Sequence, residues 1–147
     1  MEFINKQLAI KLRNKGFNRP CFGYYYIEIP TGMNEGEIIY NKCNTRGAIY
    51  KDCLYSSNYD YYFDSHLVNK VDAPTIEQTL KWLREEKKIH LAIDIKRERK
   101  VGEFTWGYFV VLLNTSSLCC VQHYDFKSDS YEDAAIAGIE YVINNLI

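Results

Sequence analysis

The sequence predicts an α+β protein: an antiparallel sheet with a C-terminal α-β-β-β-α half, and an N-terminal helix plus β-hairpin packed onto it. Three observations predict it. Ile89, Leu91, Ile93 and Ile95 alternate with His90, Ala92, Asp94 and Lys96, the period of a half-buried strand. Segments with helical apolar spacing and capping residues stand before and after the strands that follow. Near the N-terminus, Phe22 to Ile29 carries strong β preference and runs into a turn-rich stretch.

In the first element, Ile4, Leu8 and Leu12 recur at helical spacing, and Gly16 stands where a left-handed residue closes a helix. Phe17 then falls where it can touch Leu12, so the helix is expected to end at Lys15. Phe22 to Ile29 and Glu37 to Tyr40 read as a hairpin around Pro30, Gly32, Asn34 and Gly36. A third extended piece is expected at Ala48 to Tyr55. Periodicity is lost from Ser56 to Asp72, which reads as loop.

Thr75 and Gln78 form a capping box after Pro74, opening a helix that should run to about Lys88. Its stripe is Ile76, Leu80 and Leu83. Trp82 lies off that stripe, beside Thr79 and Glu86, and needs a second surface to cover it. The alternating strand from Ile89 follows. Trp106 to Leu113 is apolar on both faces, which suits a central strand with cover on each side. Leu118 to Phe126 reads as the third strand. Ser130 and Asp133 start a last helix whose stripe is Ala135, Ile136, Ile139, Val142, Ile143 and Leu146. We read residues 1–147 as one α+β domain with halves 1–72 and 73–147, its two helices on the Ile89/Leu91/Ile93/Ile95 face.

Composition narrows the function classes. Lys and Arg number 18 against 19 Asp and Glu, so there is no global basic field for a nucleic-acid backbone. The densest basic run, Lys96, Arg97, Arg99 and Lys100, falls in a hairpin loop and reads as solvated. No secretory leader or membrane-spanning stretch is legible, and a cytoplasmic location without membrane contact is expected. Cys21, Cys43, Cys53, Cys119 and Cys120 show no metal-ligand spacing, and reduced thiols are expected. Neither a metal nor a cofactor is expected.

The α-β-β-β-α order resembles that of double-stranded-RNA-binding domains in topology only. Those domains put lysines at the start of the last helix, where this chain has Asp129, Glu132 and Asp133, which repel phosphates. For acid-base chemistry the candidates are His66, His90, His123, Asp94 and Asp125. His90 and Asp94 are four residues apart on one strand, about 13 Å, too far to pair. His123 and Asp125 share a face at i, i+2 and read as a surface strand pair. No nucleophile elbow, zinc-protease helix, P-loop or dinucleotide fingerprint is present.

Tyr50 to Phe63 is dense in Tyr, Ser, Asn and Asp, the chemistry of adaptable binding surfaces. Tyr59, Tyr61 and Tyr62, with Trp82, are therefore the expected interaction surface. The alternative is that these rings pack over their own sheet edge.

Several pieces carry a resemblance together: Lys15 to Tyr25, Ala73-Pro74-Thr75, Lys81 to Glu85, Ile89-His90-Leu91 and Tyr131 to Ile139. They resemble a family of small uncharacterised proteins carried by Bacteroides-type gut bacteria, their prophages and phages. The likeness covers both ends and the middle, and little of Gly32 to Asn69. It implies a cytoplasmic setting and a mobile-element origin, and it supplies no catalytic residues.

The leading expectation is a non-catalytic interaction protein, a homodimer or the binder of a protein partner, acting through the Tyr-rich loop and the outer sheet face. The second is a nucleic-acid-associated accessory protein using the basic loop 96–100, which the charge balance disfavours. The third is a small enzyme with a site around His123, Asp125 and His90.

Overall fold

The structure is a computed structural model and describes residues 2–27, 32, 34, 38–40, 70–97, 102–113 and 121–147. Its elements make the protein α+β, with three helices and antiparallel sheets among the described residues. They divide into two compact units, Phe3–Thr75 and Ile76–Ile147.

In the first unit, α1 spans Lys6–Asn14, with Asn5 as N-cap, its Oδ1 accepting the Leu8 N–H at 2.9 Å. Both hydrogen bonds of a Schellman ending are present: Gly16 N–H donates to Arg13 O and Phe17 N–H to Leu12 O, each at 3.0 Å. Gly16 has φ +89°, which a Cβ would disfavour. Ile4 precedes the helix; its N–H donates to Pro74 O at 3.1 Å, beside the bridge between Phe3 and Thr75.

Strands β1 (Gly23–Tyr26) and β2 (Ile39–Tyr40) form the expected antiparallel hairpin, with Tyr24 opposite Ile39. The other edge of β1 pairs with β3 (Lys70–Asp72), Tyr25 opposite Val71. This third strand corrects the reading of 56–72 as loop throughout. Three residues are too few to display an alternation, so nothing in the local pattern distinguishes β3 from loop. The extended piece expected at Ala48 to Tyr55 lies outside the described residues. The core of this unit holds Leu8, Leu12, Phe17, Cys21, Tyr25 and Val71, and the Tyr25 hydroxyl donates to Ile4 O at 2.5 Å.

The second unit has the expected order: α2 (Ile76–Glu86), β4 (Ile89–Arg97), β5 (Phe104–Leu112), β6 (Val121–Ser128) and α3 (Tyr131–Asn145). α2 stops short of Lys88, whose φ of 57° lies in the left-handed region and ends the helix. The sheet order is β4-β5-β6, and β4 pairs with β5 without interruption from Ile89↔Leu112 to Arg97↔Phe104. Strand β6 is bulged twice, opposite Trp106/Tyr108 and Val110/Val111, as suits an exposed sheet edge. Ser130 Oγ accepts the Asp133 N–H at 3.1 Å and starts α3.

Helix α3 packs on the Ile89/Leu91 side of the sheet: a Cβ placed on Gly138 would sit 2.8 Å from Leu91 Cδ1 and 3.0 Å from Tyr108 Cγ. The cover is shorter than expected, because Ile89 and Leu91 are buried whereas Ile95 is 46% exposed. The reason is the rise per residue, about 1.5 Å in a helix against about 3.3 Å in a strand. The nine-residue strands therefore outreach the eleven residues of α2 and the fifteen of α3. The far end of the β4–β5 hairpin keeps Ile95 and Phe104 in solvent.

Candidate interaction face

Register divides the side chains of the second sheet between two faces. On the helix side lie Ile89, Leu91, Ile93 and Ile95 of β4, with Trp106, Tyr108 and Val110 of β5 and His123 of β6. Here the rings close against α3. His123 stacks on Tyr141, centroids 3.8 Å apart and planes within 8°, and Trp106 meets Tyr131 edge to face at 5.8 Å. The Tyr108 phenol is pushed up from its ordinary value by burial, with Asp125 and Tyr141 adding to the shift.

On the outer face lie His90, Ala92, Asp94 and Lys96 of β4, Gly107, Phe109 and Val111 of β5, and Tyr124 and Phe126 of β6. The sequence leads one to expect cover on both sides of β5. Instead, Phe109 and Val111 are only half-buried and Tyr124 is 67% exposed. Apolar character at these outward positions goes into rings packing on one another. Phe109 meets Phe126 edge to face at 5.0 Å and Tyr124 at 6.4 Å.

Gly107 makes this arrangement feasible. A Cβ there would lie 2.5 Å from Cγ and Cδ1 of Phe126 and would also strike the Asp125 carbonyl oxygen. The Phe126 ring thus rests over bare backbone, an aromatic covering a strand glycine. A shallow groove of about 530 Å³ follows, lined by Lys96, Phe109, Tyr124, Asp125, Phe126 and Lys127. Lys127 Nζ lies 3.4 Å from Asp125 Oδ1 but is highly exposed, so the pair is weak and the ammonium can turn to another anion. Lys96, also exposed, adds a second cation on this face.

The residues expected from sequence fare differently. Tyr59, Tyr61 and Tyr62 lie outside the described residues, as do His66, Arg99 and Lys100. Trp82 is fully buried, with Lys87 Nζ 5.0 Å from its ring centroid. Its need for cover is met, and that corrects its place in an exposed interaction surface: it is an interior residue. His90 and His123 sit on opposite faces of the sheet, and Asp125 is engaged by Lys127 while Asp94 accepts the Ile95 N–H at 2.7 Å. The structure does not bring these four together in one cleft.

Among the described residues no group of three or more His, Cys, Asp or Glu is placed to hold a metal ion, and no helix is long and apolar enough to cross a membrane. The row Phe109, Tyr124 and Phe126 went unnoticed in the sequence. The usable hint was the outward period of Tyr124 and Phe126 against His123 and Asp125. Comparison with family models, curated proteins and solved structures finds no match to this chain.

Proposed function

We propose that the chain is a non-catalytic interaction protein that meets its partner on the outer face of the β4-β5-β6 sheet. One observation carries the reading: Phe109, Tyr124 and Phe126 form a contiguous aromatic row on the outer face of the sheet, with Tyr124 67% exposed. Exposed aromatic area of this kind costs solvation free energy and is regained when a partner covers it. Lys96 and Lys127 at its margin supply the polar rim of a binding face.

The test is retention of a partner by the purified chain. Light scattering on a sizing column, with absorbance at 260 and 280 nm, distinguishes a second copy, another protein and nucleic acid. A Tyr124→Ser, Phe126→Ser chain should lose whatever is retained while its circular dichroism keeps the native form. A partner retained equally by both chains would place the binding surface elsewhere.

A further inference from the structure

Resting on that reading, we infer that the occupant of this face is single-stranded nucleic acid, with bases stacked on Tyr124 and Phe126 and phosphates drawn to Lys96 and Lys127. Phe126 is half-buried over the Gly107 backbone and shares the outer face with Tyr124. Tyr124 stands beside the same Phe109, 67% exposed. Two rings on neighbouring positions of an open sheet are the recurring platform for unpaired bases, which offer a π-face whatever their identity.

Charge on the face is balanced, Lys96 and Lys127 standing against Asp94 and Asp125. Stacking is therefore the main source of affinity and salt dependence is shallow. With about two phosphates engaged, the slope of log K against log salt is roughly −1.4.

Size argues against a second copy on this face alone. Three strands about 4.8 Å apart, at about 3.3 Å per residue, give a face of roughly 14 by 28 Å, or about 400 Å². A stable protein interface takes about 800 Å² from each partner. A few nucleotides need far less.

Fluorescence anisotropy of the full chain tests this, with a labelled oligothymidylate of about twelve nucleotides and a duplex of equal length as probes. The single strand should bind saturably and in preference to the duplex. Tyr124→Leu should weaken it roughly 5- to 100-fold while Tyr124→Trp retains it, and Lys96→Gln should make the salt slope shallower by about 0.7. Tyr124 is so exposed that its replacement leaves the fold unchanged, so lost binding reports the face itself. Absent binding at about 50 mM salt, equal binding of duplex and single strand, or indifference to Tyr124→Leu overturns the inference. If instead the chain binds no oligonucleotide and forms a dimer that Tyr124→Leu dissociates, the occupant is protein: this inference falls and the interaction face stands.

Discussion

Phe126 occupies the space that a side chain on Gly107 would need, with ring carbons 2.5 Å from the position of the missing Cβ. The contact joins the middle strand to the bulged edge strand and seats the Phe126 ring over the Gly107 backbone. Packing on this face therefore depends on a hydrogen atom at residue 107.

Gly107→Ala should cost about 1–3 kcal/mol, because the added methyl meets the Asp125 carbonyl as well as the ring, and backbone cannot swing aside. A urea titration followed by tyrosine fluorescence reads the loss as a lower midpoint. Combining it with Phe126→Ala should recover only part of it, since the carbonyl clash remains. Full recovery would show that the ring alone sets the constraint.

The Ser130 side chain both accepts the Asp133 N–H and donates to Asp133 Oδ2 at 2.7 Å, so it satisfies a free donor at the start of α3 and fixes the carboxylate near the positive end of the helix. Ser130→Ala should lower stability by about 1 kcal/mol, and Ser130→Asn, whose amide both accepts and donates, should leave it within a few tenths. Thermal melts of the two variants check the order. Equal melting would show that this cap adds nothing.

What the sequence made legible follows from which forces act locally. Gly16 and Phe17 closed α1 where expected, because a Schellman ending is settled within six residues. Ser130 and Asp133 likewise opened α3, and the Ile89 to Ile95 alternation gave β4 its faces. Strand β3 was hidden because only its pairing with β1 makes it a strand. The burial of Trp82 depends on neighbours that a helical projection omits. The aromatic face was legible only in part: Tyr124 and Phe126 keep an outward period, but two bulges in β6 set which residues of β5 they face, and a bulge leaves no spacing to read.

His123 and Tyr141 stack at 3.8 Å and tie β6, an edge strand, to α3. Such a ring pair adds about 0.5–1.5 kcal/mol beyond the area it buries. In a double-mutant cycle, His123→Ala and Tyr141→Ala should couple by that amount, and Tyr141→Phe should keep the coupling. Additive single effects would mean that the two rings are neighbours without mutual attraction.

Cys21 is buried in the first unit, its thiol donating to Arg19 O at 3.3 Å. Burial, with the nearby Asp72 carboxylate adding to it, pushes this thiol far above its ordinary value of 9.0. Below pH 9 the thiol is protonated in both folded and unfolded chains and contributes no pH dependence. Above it the unfolded chain releases the proton while the folded chain keeps it. Stability must then fall with rising pH, by up to about 1.4 kcal/mol per pH unit for this one group. Burial raises the phenols of Tyr24, Tyr108 and Tyr131 in the same direction, so their losses begin near pH 10. Urea titrations at pH 8, 9 and 10 should show a steeper decline between 9 and 10 for the native chain than for Cys21→Ala. Parallel declines would mean that the thiol ionises as readily in the folded chain as in the unfolded one.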